Sequence, residues 1–241
     1  YKVSAYRNFV VYEPKYREVA ALPIRDRIVQ HALNNVIEPN IEKQFIYDSH
    51  ACRRGHGVKL AVDRYIRLSG KYKYVLKSDI SSYFHSINHS ILKSLYAAKV
   101  SDPNILYLIH QIIDSTPGGV GIPIGNLSSQ LSANLYLHEL DFWLKHSRQR
   151  KGYIRYMDDF VVFGDSREDL RALLNDIKEF LYYRLRIYLS NRKTFIVPVA
   201  NGVDFCGFRC FPSHCVVKKE SRHKNYKKVK QLSKQLQQKE I

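Results

Sequence analysis

Three aspartates stand at the ends of apolar segments that have the composition of β-strands. Asp79 closes one such run, and the adjacent pair Asp158 and Asp159 lies between the runs 153–157 and 160–163. Aspartate is uncommon inside strands, and adjacent carboxylates repel each other unless water or cations neutralise them. An isolated Asp-Asp pair is most simply an exposed turn. Carboxylates from separate strand ends can instead converge on a pair of Mg²⁺ ions about 3.5–4 Å apart, which supports in-line attack on phosphorus.

Hydrophobic periodicity predicts the elements that must carry these residues. Two short apolar runs, 9–12 and 18–22, flank a basic tip and predict a hairpin. Helical spacing begins at Ile24, and we expect Pro39 to end or kink that helix. Further helices are predicted at 58–68, 87–96, 103–113, 127–144 (amphipathic), 165–183 and 218–241 (basic), and strands at 72–76, 153–157, 160–163, 187–199 and 203–211. Segregated strands among helices predict an α+β fold with an antiparallel sheet.

The charge balance points to a polyanionic partner. The 241 residues include 39 Lys and Arg against 22 Asp and Glu, which gives a formal charge of +17. Nucleic acid is favoured over an anionic membrane surface, because no basic amphipathic helix with a bulky apolar face stands out. Hydrophobic residues make up 45% of the chain, which excludes wholesale disorder. No apolar run approaches the ~18 residues that a membrane span requires, so we expect no membrane partner.

The four cysteines raise one further possibility of metal chemistry. Cys206, Cys210 and Cys215 cluster with His214, which suggests zinc as an alternative. Their spacing lacks the Cys-x2-Cys pairs typical of structural zinc, so reduced thiols in a strand and its exit loop are the favoured interpretation. Reduced thiols fit a cytoplasmic protein.

Six segments, in order along nearly the whole chain, resemble the motifs of reverse transcriptases. Residues 156–159 (YMDD) are similar to the catalytic box, and residues 77–84 (KSDISSYF) to the first palm motif. Residues 121–130 (GIPIGNLSSQ) match the second palm motif in a form that resembles the reverse transcriptases of diversity-generating retroelements. The other similar segments are 25–33 (RDRIVQHAL) and 51–53 (ACR), which also fit the broader group II intron lineage, and 205–208 (FCGF), which looks like a primer-grip strand.

This resemblance implies a right-hand polymerase fold within the α+β class. Fingers would occupy residues 1–78, the palm 79–211 with a fingers insert at about 88–118, and the start of the thumb 212–241. The implied reaction is RNA-directed DNA synthesis by two-metal nucleotidyl transfer, with two Mg²⁺ ions or Mn²⁺ in their place. The implied partners are a template RNA, a cDNA or primer 3′ end, dNTP and a small basic oligomeric accessory protein. The same lineage implies a prokaryotic or phage-encoded, cytoplasmic enzyme.

The resemblance also assigns roles at the catalytic centre. Asp79, Asp158 and, less directly, Asp159 would form the catalytic set and hold the metals, and Ile80 would add its backbone carbonyl. Phe84 would lie under the incoming sugar, where a bulky ring excludes a 2′-hydroxyl. The alternative for Phe84 is an ordinary core position.

Further nucleotide-binding residues are implied on other segments. Lys15 and Arg17, on the hairpin tip, would hold the triphosphate, unless the basic turn is simply solvated. Lys193 resembles the lysine proposed to protonate the pyrophosphate leaving group, with a surface lysine as the alternative. The second palm motif contributes Ile124, Gly125 and Gln130, and the primer grip would consist of Phe205, Cys206, Gly207 and Phe208.

Ile124 departs from the retroviral pattern, in which glutamine precedes the glycine of the second palm motif. Isoleucine cannot hydrogen-bond the nucleotide or the template, and a lost polar contact typically costs about 1 kcal/mol or more. The resemblance accordingly implies an error-prone enzyme that misincorporates opposite template adenines and makes adenine-mutagenised cDNA. The alternative is that Ile124 packs a hydrophobic wall.

Two alternative functions stay open at this point. A retron, an antiphage-defence system or a group II intron could encode a reverse transcriptase with the same aspartate boxes, although the Ser-Ser-Gln form of the second motif argues against them. A catalytically silent RNA-binding module that keeps the polymerase shape is the non-enzyme alternative. The intact Asp79, Asp158 and Asp159 speak against that module.

Overall fold

The computed structural model describes residues 1–12 and 16–218, together with positions 222, 226, 229, 230, 232 and 233. An N-terminal hairpin forms as predicted, from β1 (Arg7–Val11) and β2 (Arg17–Ala21). The helices are α1 (Ile24–Glu42), α2 (Val58–Ser69), the short α3 (Tyr83–Ser86), α4 (His89–Ala97), α5 (Pro103–Asp114), α6 (Leu127–Phe142) and α7 (Arg167–Phe180). The predicted basic helix at 218–241, and with it most of the predicted thumb, lies outside the described residues apart from the positions named above.

Two antiparallel sheets follow the hairpin. The remaining strands are β3 (Tyr74–Asp79), β4 (Tyr153–Tyr156), β5 (Asp159–Gly164), β6 (Phe195–Pro198), β7 (Val203–Phe205), β8 (Phe208–Cys210) and β9 (Cys215–Val217). The first four form one sheet in the order β4-β5-β3-β6, and the last three form the second in the order β7-β8-β9. Every paired strand in the sheets is antiparallel, which confirms the sheet type expected from the sequence.

Both faces of the four-stranded sheet are covered, because successive residues of each strand point to opposite sides. Leu76 and Val162 belong to the larger core, which also contains side chains of α6 and α7. Val75 and Val161 belong to a second core that contains side chains of α2 and of the β7–β8 hairpin. The sheet is therefore the middle layer, which explains why its strands are apolar on both sides.

Helix α6 corrects one prediction from the sequence. It was expected to be amphipathic, but its residues are buried on nearly every side, including the polar Ser132, Asn134, His138 and Asp141. Most of this helix has no solvated face, so Ser132, Asn134 and Asp141 make internal hydrogen bonds rather than contacts with water. After Phe142 the helix widens into one π-helical turn, Trp143–Ser147.

Three boundaries also differ from the predictions. Pro39 does not end α1, which runs on to Glu42 with the proline inside its last turn. The strand predicted at 72–76 begins at Tyr74 and continues to Asp79 itself. The predicted run 187–199 is a strand only at Phe195–Pro198, since the polar segment before it forms a 3-10 turn at Asn191–Lys193.

Within the described part of the chain, no helix has both the length and the apolarity to cross a bilayer.

Candidate active site

The three aspartates lie together at one end of the four-stranded sheet. Asp79 is the last residue of β3 and Asp159 is the first of β5, and the two stand directly opposite each other in the antiparallel register. Asp158 occupies the turn that joins β4 to β5. Its carbonyl oxygen accepts a hydrogen bond from the backbone N–H of Ile80 at 3.2 Å, which ties the turn to the end of β3.

The turn that carries Asp158 has an unusual backbone. Met157, immediately before it, adopts φ +57°, in the left-handed region that non-glycine residues rarely occupy. Such a conformation is unfavourable on its own and persists where surrounding contacts fix it. Its effect here is a tight β4–β5 turn whose tip is an aspartate rather than one of the usual glycine or asparagine residues.

Two lysines neutralise the carboxylates in this structure. Lys193 donates from Nζ to Oδ1 of Asp79 at 2.7 Å, and Lys77 forms an ion pair with Asp159. Lys77 lies in the buried part of β3, and burial lowers its pKa to about 8, although the carboxylates of Asp79 and Asp158 pull that pKa upward. The lysine ammonium therefore sits in a poorly solvated position beside an acidic cluster.

Asp158 carries an electrostatic strain that a cation would relieve. Its pKa is raised, first because it is buried and second because of the nearby charge of Asp79. Two nearby carboxylates make it unfavourable for both to be ionised. A divalent cation between them would stabilise the ionised form. The carboxylates of Asp79 and Asp158 offer hard oxygen ligands, which suit Mg²⁺ or Mn²⁺.

The three carboxylates do not form a ready-made metal cage. Among the residues that the structure describes, no group of three or more His, Cys, Asp or Glu side chains is arranged to hold a metal ion. The charge of Asp79 acts on Asp158, so these two carboxylates are the pair that could share a metal ion, with the buried Ile80 next to Asp79 in the chain. Lys193 pairs with Asp79 and Lys77 with Asp159, so a metal ion bound by either carboxylate would compete with a lysine.

The predicted primer-grip segment lies beside the carboxylates. Phe205 and Phe208 face each other across the β7–β8 hairpin, and the turn residues Cys206 and Gly207 have φ +49° and +85°. Positive φ at both central residues is typical of a tight type I′ hairpin. The Lys77 ammonium lies 5.6 Å from the centre of the Phe205 ring.

An open cleft of about 1010 Å³ runs between this hairpin and the carboxylates, lined by residues that include Asp79, Asp159, Lys193, Val203 and Arg209.

The second palm motif packs against the N-terminal hairpin. The backbone N–H of Ala20 donates to the carbonyl of Ile124 at 2.9 Å. Gly125 has φ +118°, and a Cβ atom there would lie 2.8 Å from Cγ1 of Val19, so glycine is required both by conformation and by space. Ile124 is half-buried and lines a cavity of about 730 Å³ between the hairpin and residues 115–124.

Phe84 belongs to the same region. Its carbonyl accepts a hydrogen bond from the backbone N–H of Ile122 at 2.8 Å, which links the segment after Asp79 to the second palm motif. Its half-buried ring packs edge-on against Tyr83, 5.8 Å between centroids, at the margin of the larger core. The ring therefore combines a packing contact with partial exposure, and both interpretations of Phe84 stay compatible with its position.

The other predicted nucleotide-binding residues lie further apart. Arg17 is exposed at the start of β2, and Lys15 lies outside the described residues. Gln130 is exposed on α6 and lines a separate small cavity with Glu42 and Arg53, not the cavity that contains Ile124. The structure therefore joins Ile124 and Gly125 to the hairpin, while it leaves Gln130 on another surface.

The decisive comparison is with sequence families. Residues 11–210 match the profile described as reverse transcriptase (RNA-dependent DNA polymerase). The chain belongs to the reverse transcriptase family. The match covers the second strand of the N-terminal hairpin, the three aspartates and the β7–β8 hairpin, so the family assignment and the candidate site rest on the same stretch of chain.

Relatives of this reverse transcriptase chain include a group II intron-encoded protein. It is 26% identical to protein YkfC of Escherichia coli (strain K12), over 87% of this chain and 65% of that protein. It is 23% identical to the group II intron-encoded protein LtrA of Lactococcus lactis subsp. cremoris, over 80% of this chain and 44% of that protein. The chain thus spans 65% of the length of the first relative and 44% of the second.

Solved structures confirm the fold. Telomerase from Candida tropicalis in its apo form matches 90% of this chain and 49% of its own, with a TM-score of 0.69 and 12% identity. Telomerase from Candida albicans, in complex with a TWJ fragment of telomeric RNA, matches 91% and 46%, with a TM-score of 0.68 and 10% identity. The expected right-hand polymerase fold is therefore correct for this reverse transcriptase, while the division into fingers, palm and thumb stays a prediction.

Sequence reasoning missed two charged residues of this reverse transcriptase site. Lys77 lies two residues before Asp79, hence on the same face of β3, in an otherwise apolar buried run. Arg155 lies in the same kind of position in β4, three residues before Asp158, and is fully buried. A single charged residue inside an apolar strand was the available signal, because a charge in such a place needs a partner.

Proposed function

We propose that the protein is an RNA-directed DNA polymerase that copies a template RNA into cDNA. The observation that carries this is the placement of Asp79, Asp158 and Asp159 at one strand end, beside an open cleft, in a chain of the reverse transcriptase family. The substrates would be a dNTP and the 3′ end of a primer or growing cDNA.

Asp79 and Asp158 would hold the metal ions, with the Ile80 carbonyl as a further oxygen ligand. Two Mg²⁺ ions, or Mn²⁺, supply activation of the attacking 3′-hydroxyl and stabilisation of charge on the phosphoryl oxygens when bound. Asp159 acts indirectly in this proposal, because its carboxylate stays paired with Lys77 and keeps that lysine charge near the phosphates. Lys193, exposed and flexible, would move from Asp79 to donate a proton from Nζ to the departing pyrophosphate.

The remaining predicted residues would position the substrates. Arg17 and Lys15 would bind the triphosphate, and Phe84 would pack under the sugar so that a 2′-hydroxyl is excluded. The β7–β8 hairpin would hold the primer strand, since its Phe205 ring adjoins Lys77 and so the acidic cluster. A fixed hairpin at this point would keep the primer end in line with the nucleotide, which is a large part of catalysis in phosphoryl transfer.

Template binding is supported by the charge of the chain. A formal charge of +17 favours an RNA partner through release of condensed counterions. The Candida albicans telomerase, which shares the fold of this chain, was solved in complex with a TWJ fragment of telomeric RNA. We infer that a basic surface of this chain faces a template RNA.

Within the family, we propose the diversity-generating type, in which copying is mutagenic at template adenines. The support is the form of the second palm motif, residues 121–130, together with an apolar Ile124 on the wall of the cavity beside the N-terminal hairpin. This type would also employ a small basic oligomeric accessory protein. A group II intron-type enzyme is the second candidate, favoured by the similarity to the intron-encoded protein LtrA.

Primer extension on a defined RNA tests the proposed activity. The wild-type chain should incorporate dNTPs with Mg²⁺, whereas Asp158→Asn should lose at least about 10³-fold in rate, or about 4 kcal/mol of transition-state stabilisation. RNA binding by the variant should stay within about twofold, because the basic surface is untouched. Asp63→Asn, an exposed aspartate of α2, is the matched control and should extend normally. Near-normal extension by Asp158→Asn would remove this residue from the catalytic centre.

Sequencing of the cDNA products separates the two types of enzyme. The mutagenic type predicts errors concentrated opposite template adenines, whereas the intron type predicts low error rates at all four bases. A uniform and low error rate in an active enzyme would leave the polymerase assignment intact and reject the mutagenic one.

A further inference from the structure

A buried ion pair lies directly behind the aspartate turn. Arg155 of β4 and Asp141 of α6 are both fully buried. Arg155 donates from Nε to Oδ1 of Asp141 at 2.7 Å and from Nη2 to Oδ2 at 2.6 Å, so the pair is bidentate. Burial of a guanidinium is unfavourable unless its N–H groups are hydrogen-bonded. The partner of the remaining nitrogen, Nη1, therefore matters.

The remaining nitrogen reaches the turn itself. Nη1 of Arg155 donates to the carbonyl oxygen of Met157 at 2.8 Å and also to Oδ1 of Asn134 at 3.1 Å. The Met157 carbonyl belongs to the peptide group that joins Met157 to Asp158. Because a peptide group is planar, a hydrogen bond to its oxygen fixes the orientation of the Asp158 N–H and the direction in which the chain enters that residue.

The hydrogen bond from Arg155 is accepted by Met157, the residue with the strained backbone. Met157 holds φ +57°, an unfavourable conformation for a residue with a side chain. Asp158 follows Met157 directly, and its carbonyl accepts a hydrogen bond from the N–H of Ile80, the residue after Asp79. Strain at Met157 and repulsion between the like-charged carboxylates of Asp158 and Asp79 both favour relaxation of the turn away from Asp79, and the contact from Arg155 opposes that relaxation.

Arg155 is itself anchored on a rigid frame. Asp141 and Asn134 both belong to the enclosed helix α6, and Asp141 accepts a further hydrogen bond from the Tyr153 hydroxyl at 2.6 Å. The Arg155 backbone N–H donates to the Asp48 carbonyl at 2.9 Å, so the residue is fixed through its backbone as well as its side chain. The guanidinium thus connects the central helix of the protein to the aspartate turn.

We propose that Arg155 is a positioning residue for Asp158, which it holds beside Asp79 in the geometry that binds a divalent cation. The proposal rests on the proposed function, since it takes Asp158 as a metal-binding carboxylate. Arg155 touches neither substrate nor metal in this role. Its contribution passes through one hydrogen bond to the Met157 carbonyl.

Lysine cannot replace arginine at this position. The guanidinium presents five N–H donors in a planar fork, so it can pair with both oxygens of Asp141 and reach Met157 at the same time. A lysine ammonium is a single nitrogen at the end of a flexible chain, which would keep the positive charge near Asp141 and leave the turn without its donor. Arg155→Lys therefore removes the positioning contact and retains the buried charge.

The test measures Mn²⁺ binding to the full chain in the absence of nucleotide, by electron paramagnetic resonance of free Mn²⁺. Arg155→Lys should weaken Mn²⁺ binding about tenfold or more, as substitutions behind metal ligands do. In primer extension the same variant should lower kcat about tenfold or more, with the KM for dNTP within about twofold. Thermal unfolding and near-ultraviolet circular dichroism establish that the variant is folded.

Two control variants separate positioning from general stability. Tyr153→Phe removes a buried hydrogen bond from the same Asp141 without touching Met157. Arg150→Lys alters a second bidentate pair, with Asp169, near the other end of β4. Both should bind Mn²⁺ within about twofold of wild type. Equal weakening by Tyr153→Phe would show that the ion pair acts through stability alone and would overturn the proposal.

A further variant covers the case in which Arg155→Lys does not fold. Arg155→Met combined with Asp141→Leu replaces both charges with apolar groups, which buried ion pairs often tolerate, and lacks the donor to Met157. It should show the same loss of Mn²⁺ affinity, and wild-type affinity in either folded variant would refute the role of Arg155. A wild-type chain that binds Mn²⁺ but extends no primer would refute the proposed function instead, and the Mn²⁺ comparison would still decide the role of Arg155.

Discussion

The ammonium nitrogen of Lys193 lies 2.7 Å from Oδ1 of Asp79, in direct competition with any cation that this carboxylate would bind. Asp79 is largely buried, whereas about half of the Lys193 side chain is exposed, so the lysine can leave without disturbing the core. The same lysine would be available to the leaving pyrophosphate once it is released from Asp79. In the proposed mechanism, metal binding by Asp79 and proton donation by Lys193 would thereby be coupled through one side chain.

Lys193→Met should separate these two effects. Loss of the competing ammonium should tighten Mn²⁺ binding up to about fivefold, equivalent to about 1 kcal/mol. Loss of the proton donor should slow primer extension about 10²-fold. Lys178→Met, on the exposed side of α7, is the control and should alter neither quantity. A variant that loses metal affinity and rate together would contradict the competition between Lys193 and the metal.

Ile124→Gln should lower the error rate of the enzyme. A side-chain amide in the cavity wall could hydrogen-bond a correctly paired nucleotide or its template base, an effect of about 1–2 kcal/mol, or about five- to thirtyfold in misincorporation. The decrease should be larger opposite adenine than opposite the other bases. Sequencing of cDNA from one defined RNA measures it. Ile28→Gln makes the same change at an exposed position of α1 and should leave the error spectrum unchanged, whereas unaltered errors in Ile124→Gln would make Ile124 a packing residue.

Gly125→Ala should displace the N-terminal hairpin from the second palm motif. Its new Cβ would lie 2.8 Å from Val19 Cγ1, against a strand whose Ala20 N–H is bonded to Ile124. If Arg17 on that strand binds the triphosphate, the KM for dNTP should rise about tenfold or more. Steady-state kinetics of single-nucleotide addition measures this change.

Gly118→Ala is the matched control for Gly125→Ala. Gly118 also has a positive φ, +91°, but a Cβ there meets nothing within 4 Å. The two variants therefore share backbone strain and differ in the steric contact. A similar increase of KM in both would assign the effect to strain in the loop and would contradict a role for hairpin docking.

Acid should destabilise the protein through His50. Burial lowers the pKa of this histidine from 6.5 to about 4, and the neighbouring charge of His56 acts in the same direction. Between those pH values His50 is protonated in the unfolded chain but neutral in the native state. The free energy of unfolding therefore falls as pH falls, by up to about 1.4 kcal/mol per pH unit for one such group. Denaturant unfolding of His50→Gln should show a shallower pH slope than wild type, whereas the exposed His31→Gln should not. An unchanged slope in His50→Gln would show that other groups cause the acid sensitivity.

The positions of the aspartates were predictable because strand ends and turns leave strong local signals. Asp79 and Asp159 each close or open an apolar run, and an antiparallel pair of such strands necessarily brings their ends together. The partner of each carboxylate was not predictable. The pairing of Lys77 with Asp159 rather than Asp79 depends on side-chain directions across two strands, which the sequence does not encode locally.

The burial of α6 could not be predicted from the sequence for a similar reason. Its apolar residues follow helical spacing, but the polar residues between them, such as Asn134 and Asp141, look like a solvated face until their partners are known. Those partners, Arg155 and the Ala51 carbonyl, come from distant segments. Tertiary contacts with other segments therefore decide whether such a polar residue faces water or the core.

The segment before α2 closes one border of the four-stranded sheet. Ser49 bridges Arg155 in parallel, with hydrogen bonds from Arg155 N–H to Asp48 and from His50 N–H to Arg155, so the outer backbone groups of β4 at this point are already used. The opposite border is β6, a strand of four residues that finishes at Pro198, which has no amide hydrogen to offer. Strand addition from a second molecule is disfavoured at both borders. Growth of this four-stranded sheet across molecules, as in fibril formation, should consequently be suppressed even at high concentration.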